Sequence, residues 1–245
     1  DQTYGYRVCQ LKKDDGHEHN LYYSRCPWNA DSSRMVGIHS DLQQQNWHVV
    51  LYDGQGHFLK ELFGVERFDW RLVWDRTDPD LLYTWKGTNL YRYNVQTGSA
   101  DLLKCFAPLT LKPNGPSLNQ SGDRILVVTS DNTFRSYRLP DMEQQRSFKP
   151  SIPPGCFVSW DKPAYTGYRN NIHIQFGSSD PNKHGILLYD DAGTLLHTFD
   201  AIGGGGHYAF SPDGKLAYFR MARGPRQGGP SPLEIHVVNI DGTND

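Results

Sequence analysis

The sequence predicts an all-β fold, specifically a β-propeller of four-stranded blades occupying residues 1–245 as one domain. Three observations carry that expectation. Strand-like runs recur in blocks, turn residues fall at matching places in each block, and no segment shows a convincing helical period. About five blocks are visible. The first reads "LYYSR", "NADSSRMVGIHS", "WHVVLYDGQG" and "HFLKELF", and the second "WRLVWDRTDPDLLYTW", "NLYRYNVQTG" and "ADLLKCF". The third reads "PSLNQSGDRILVVTS", "TFRSYRLPD" and "QQRSFK". The fourth reads "CFVSWDKPAYTGYRNNIHIQF", "GILLYDDAG" and "TLLHTF", and the fifth "HYAFSPDGKLAYFRM" and "LEIHVVNIDG".

The turns between third and fourth strands mark the period. They fall at Asp53-Gly54, Thr97-Gly98, Pro140-Asp141, Ala192-Gly193 and Asp241-Gly242, roughly 43 to 50 residues apart, as four-stranded blades require. The turns between first and second strands, "NADSS", "DRTDPD", "NQSGD" and "SPDGK", place Asn, Asp, Gly and Pro where tight turns need them. A lone four-stranded sheet cannot bury both its faces, whereas blades arranged radially bury them against one another. The fifth block stops after its third strand, and the chain opens with a spare strand, "YRVCQL". Either that strand closes a five-bladed ring, or the chain is a fragment of a seven-bladed one. Asp1 in place of Met fits a processed product or an excised piece.

Composition narrows the function classes. The formal net charge is −2, which gives no footprint for nucleic acid. No apolar run approaches the roughly 18 residues of a membrane span. Cys9, Cys26, Cys105 and Cys156 form no Cys-x-x-Cys pair, so a zinc knuckle is not expected, and a single disulfide such as Cys9 with Cys26 stands beside four free thiols as an open alternative. The compartment, periplasm or cytoplasm of a bacterial-type cell, stays open.

Ligands of a propeller bind where backbone from every blade converges, on the face that carries the loops into the first strand and between second and third strands. His17, Glu18 and His19 enter the first block there, and His207 enters the fifth after four glycines. His17, His19 and His207, with Glu18 or Asn20, form a candidate set for a divalent ion such as manganese or calcium, since two histidines one residue apart on a strand point the same way. The plain alternative is solvated turn histidines. His39, Asp41 and His48 surround the second-to-third-strand loop of the first block and are candidate substrate contacts. Trp28, Tyr22 and Trp47 are candidate stacking platforms for sugar rings, whereas Trp74, Trp85 and Trp160, and Tyr22 in its alternative reading, are read as packing between blades. Arg220 and Arg223 occupy the matching loop of the fifth block and suit bidentate pairing to a carboxylate. Arg25 reads as an ordinary surface arginine. The "GGGGH" run lacks the Lys-Ser/Thr of a phosphate loop and precedes a strand.

Two segments carry a resemblance to known families. The V-x-Q-L opening and the "FSPDGK" turn resemble the propeller repeats of Tol-system periplasmic proteins, which implies a fold and little more. "QLKKDDGHEHNLYYSRCPWNADSSRMV" and "GGGHYAFSPDGKLAYFRMARGP…NIDGTN" are similar to segments of the oligogalacturonate lyase family. That resemblance implies metal-assisted β-elimination on uronate-containing oligosaccharides, with His207 at the position of a metal ligand; Arg220 and Arg223, from their own loop position, are the candidate catalytic groups. A base removes the proton beside the carboxylate while a metal or arginine holds the charge that develops. Tyr208 replaces the family's proline after the histidine, and the "VVTSDNT" run lacks the family's basic arginine. A non-catalytic propeller binding a glycan or a protein on the same face is the rival expectation.

Overall fold

The computed structural model describes residues 11, 13–19, 26–65, 72–112, 116–158, 164–166, 168–180, 184–200, 208–211, 213–221, 233–241 and 243, leaving out the side chains of 200, 219–221, 233 and 234. All regular structure among them is strand. The chain divides into two compact units, Asp1–Cys105 and Phe106–Asp245.

The first unit holds two antiparallel sheets of four strands in sequence order. One comprises β1 (His17–His19), β2 (Arg34–Ser40), β3 (Trp47–Asp53) and β4 (Phe58–Val65). The other comprises β5 (Leu72–Trp74), β6 (Leu81–Lys86), β7 (Asn89–Asn94) and β8 (Ala100–Cys105). The second unit holds three. β9 (Ser117–Leu118), β10 (Arg124–Val128), β11 (Phe134–Arg138) and β12 (Gln144–Phe148) form the first. In the next, β13 (Phe157–Val158) and β14 (Ala164–Tyr165) both pair with β15 (Ile172–Gly177), followed by β16 (Gly185–Tyr189) and β17 (Leu195–Asp200). The last is β18 (Tyr208–Phe210), β19 (Lys215–Met221) and β20 (Leu233–Asn239).

The repeat seen in the sequence is a repeat of turns. At the entry to each second strand one backbone N–H closes the turn on a carbonyl: Asn29 to Arg34, Asp75 to Leu81, Asn119 to Arg124, Thr166 to Asn171 and Ser211 to Lys215. Asn29 and Asn119 each also accept from the same arginine's N–H, at 3.0 Å in both cases. The outer turns repeat as well, with Asp53 closing on His57, Asn94 on Ser99, Arg138 on Glu143, Asp190 on Thr194 and Asn239 on Thr243. Asn, Asp and Ser recur because a short polar side chain can satisfy turn N–H groups that no ladder reaches.

Middle strands such as β10 (RILVV) and β16 (GILLY) are apolar without alternation because both faces are covered. Outer strands such as β8 and β12 are mostly exposed. In the first unit Val36, Ile38, Val49 and Leu51 of the first sheet pack on Leu72, Leu82 and Tyr93 of the second. In the second unit β15 and β16 are covered twice. Ile174 and Leu187 pack toward Leu126 and Phe134, while Ile186 and Leu188 pack toward Leu216 and Val238. Each such side chain contributes about 1.5–3 kcal/mol on burial. Arg34 reaches Asp80 of the neighbouring sheet, and Arg124 reaches Asp191 in the same way.

Two details differ from the sequence expectation. The first strand begins with the histidines themselves at His17–His19, because they continue the ladder along β2, while the expected "LYYSR" strand lies outside the described residues. The first strand of the fourth block is split into β13 and β14, and residues 159–163 between them lie outside the described residues.

Candidate functional site

Register fixes what gathers at the end of the first sheet. His17 pairs with Ser40, Glu18 with His39 and His19 with Ile38, while His39 pairs with His48 across β2 and β3. Alternation then sends His17 and His19 to one face and Glu18, His39 and His48 to the other. The ring contacts agree. The His17 and His19 rings lie 6.4 Å apart, and His19 packs on Trp47 at 5.0 Å.

On the opposite face His39 is buried between two carboxylates. Its Nδ1 lies 2.9 Å from Glu18 Oε1 and its Nε2 lies 3.2 Å from Asp14 Oδ1. The segment that brings Asp14 is tied down by Lys13, whose ammonium is 2.8 Å from Asp14 and 2.9 Å from Glu61. Its backbone N–H donates to Glu18 at 3.0 Å. The Lys13 contact, then the Gly16 N–H, holds Asp14 below the usual carboxylate range, and Lys13 does the same to Glu61. The Lys13 ammonium is raised in turn by Asp14 and then Glu61. Gly16 makes this approach possible, since a Cβ there would stand 2.2 Å from the Ser40 carbonyl oxygen. The result is a hollow of about 460 Å³ bordered by Asp14, Asp15, Asp41 and Glu61.

Asp41 serves its own turn. One carboxylate oxygen accepts from the Gln45 N–H at 2.8 Å and the other from the Asn46 amide at 2.7 Å. The Gln45 N–H holds this carboxyl below its ordinary range. The turn thereby sets Gln45 and Asn46 at the mouth of a second, larger space.

That space is a cleft of about 770 Å³ between the two sheets of the first unit. Trp47 and Phe63 line it from the first sheet, and Tyr91 and Tyr93 from the second. Phe63 and Tyr93 meet edge to face at 4.8 Å, and Tyr93 donates its hydroxyl to the Leu62 carbonyl at 3.2 Å. Asn89 donates to the Tyr91 hydroxyl at 3.1 Å and fixes that ring. Lys86, at the end of β6, stands at the mouth, and no carboxylate among the described residues lines the cleft. Both mouth turns, residues 41–46 and 87–88, join second to third strands, where the sequence placed the ligand-binding face.

The remaining expected residues fall elsewhere. Trp28 bridges to Met35, near the start of β2, four residues and so about 13 Å along the strand from His39. His207 and Arg223 lie outside the described residues, and Arg220 is placed only by its backbone pairing to Glu234 in β19 and β20. Among the described residues no group of three or more His, Cys, Asp or Glu is arranged to hold a metal ion. Both nitrogens of His39 face carboxylates already, and His19 is packed on an indole, so the described residues alone do not fit a divalent centre. One finding was not legible beforehand. The "VVTSDNT" turn lacks an arginine of its own, but Arg135 reaches into it from β11 and spends its guanidinium on Asp131, with Nη2 at 3.0 Å.

No family model and no curated protein sequence matches the chain. Solved structures do match it. An oligogalacturonate lyase in complex with manganese superposes with a TM-score of 0.53 at 12% identity, over 95% of this chain and 78% of that one. The oligogalacturonate lyase of Vibrio parahaemolyticus gives 0.54 at 10% identity, over 96% and 79%. TolB of Acinetobacter baumannii gives 0.57 at 13% identity, over 88% and 51%. The fold is a β-propeller. Identities this low carry the propeller architecture and its blade-like sheets, as the sequence repeat anticipated. No helix among the described residues of the propeller is long and apolar enough to cross a membrane.

Proposed function

We propose that this propeller binds oligosaccharides, uronate-containing ones foremost, in the cleft between its first two blades, and holds them without cleaving them. The observation that carries the reading is the cleft itself. Its volume of about 770 Å³ falls in the range of small-ligand sites. Its aromatic walls suit the apolar faces of pyranose rings, and the amides of Gln45 and Asn46 suit their hydroxyls. The uronate class is supported by the two oligogalacturonate lyases among the structural neighbours. Tryptophan fluorescence and calorimetric titration with trigalacturonate test it. Tyr91→Ala should weaken binding about tenfold, the worth of one stacking contact. Heat and fluorescence both unchanged on titration of the wild type would end the reading.

Turnover is the second reading, favoured by one observation: His17 and His19 share a face of β1 with their rings 6.4 Å apart. With His207 they would form the divalent-metal set, and Arg220 and Arg223 would face the developing charge. Growth of unsaturated-uronate absorbance on adding manganese, lost in His207→Ala, supports this alternative. Binding without product at any manganese concentration rejects it.

A further inference from the structure

We propose that Lys86 is the residue that selects acid-bearing sugars in the cleft, through direct contact with the ligand carboxylate; this rests on the binding function proposed above. Three features of the site lead there.

The first is availability. Four other described cations of the first unit are committed. Lys13 holds Asp14 and Glu61, Arg34 holds Asp80, Arg92 holds Asp101 at 2.9 Å, and Lys60 donates to the Gln96 carbonyl at 3.1 Å. Lys86 makes no such contact among the described residues, and it is exposed.

The second is direction. In β6 and β7, Thr84 pairs with Tyr91 and Lys86 with Asn89. Thr84, Lys86 and Tyr91 therefore share the face that looks toward the first blade. Lys86 stands two residues along the strand from Thr84, about 7 Å. A pyranose ring stacked on Tyr91 presents its edge, where a uronate carries its carboxylate, within reach of a flexible ammonium at that distance.

The third is contrast. The hollow beside the cleft is bordered by Asp14, Asp15, Asp41 and Glu61 against one lysine, Lys13, whereas among the described residues the cleft is lined by no carboxylate and by Lys86 alone of the lysines and arginines. Asn46 and His48 border both spaces. An anionic ligand is repelled from one and accepted by the other, and the acid hollow keeps it from sliding across.

The test compares two probes of one shape: trigalacturonate and its fully methyl-esterified form, titrated into the intact wild-type chain, Lys86→Ala and Lys86→Arg. The wild type should favour the acid about tenfold, the low end for a charge-assisted contact because Lys86 is exposed. Lys86→Ala should bind both probes with the wild-type affinity for the ester. Lys86→Arg should retain the preference, and raising salt toward 1 M should shrink it. If the wild type binds both equally, or if Lys86→Ala keeps the preference, the assignment to Lys86 is overturned while the binding function stands. If the wild type binds neither probe, the binding function falls and takes this assignment with it.

Discussion

Replacing Gly16 by alanine isolates the contact that builds the charged end of the first blade. The new Cβ would lie 2.2 Å from the Ser40 carbonyl oxygen and 2.4 Å from His39 Cε1. Neither neighbour can retreat easily. Ser40 is in ladder register with His17 and Trp47, and His39 is fully enclosed between Glu18 and Asp14. The segment 13–16 must lift, and with it goes the Lys13 contact to Glu61 at 2.9 Å. Overpacking of this kind costs about 1–3 kcal/mol, and the exposed ion pair adds at most about 1 kcal/mol. We expect Gly16→Ala to lower stability by about 2–3 kcal/mol. Gly64→Ala is the control: its Cβ would meet nothing nearer than the Trp47 carbonyl oxygen at 3.8 Å, so it should change stability by less than about 0.5 kcal/mol. Urea unfolding followed by tryptophan fluorescence reads both, with the slope compared to confirm that the midpoint shift reports stability. Equal midpoints for the two variants would refute the close approach of segment 13–16.

Two further predictions concern the second unit. Asp131→Asn should cost about 1 kcal/mol at neutral pH. Arg135 first, and then the Thr129 and Thr133 hydroxyls, hold the Asp131 carboxyl well below its ordinary range, outweighing burial. Because the folded group is the stronger acid, its contribution is present above the unfolded value of about 3.9 and is lost as pH falls through the folded value. The gap between wild type and variant in pH-resolved urea melts should be constant from about pH 5 to 8 and narrow below about 4; a gap that widens in acid would contradict it. Phe134→Ala should cost about 3–5 kcal/mol, since the ring is fully buried, packs with Leu126 and Ile174, and stacks on Phe148 at 5.3 Å. A denaturant midpoint implying less than about 1 kcal/mol would show that the interface between the third and fourth blades is looser than described.

The fold was legible because propeller blades write the same local chemistry repeatedly. "NADSS" and "NQSGD" each end in an arginine-led strand, and both asparagines accept from that arginine's N–H. The packing of Trp74 between the first two sheets and the burial of Trp85 followed from their place in apolar strands. The site was legible only in part, because which face a residue takes depends on register. His17, His19, His39 and His48 all lie at one end of the first blade, as their positions suggested, yet pairing of Glu18 with His39 sets two of them on each face. Asp41, a candidate ligand contact, also forms its turn, a role that its spacing to Gln45 and Asn46 would have signalled. Lys86 carried no motif at all. Its interest comes from its neighbours in space, the described lining of the cleft, which cannot be counted along a chain.

The same contrast bears on the proposal that the cleft holds its ligand without cleaving it. β-Elimination needs a base beside the proton to be removed and a charge sink that binds the transition state more tightly than the substrate. Lys86 gives a single exposed ammonium, which meets a ground-state carboxylate almost as well as the more charged species that follows it. Such uniform binding tightens the complex without accelerating the step. His48, the histidine bordering the cleft, has its ring turned to the other face of the blade, with Nδ1 3.7 Å from Glu61. A residue so placed does not reach a proton on a sugar stacked against Tyr91. Acid preference and turnover are separable by experiment: a Lys86→Ala variant that lost acid preference but kept any turnover would place the two in different groups.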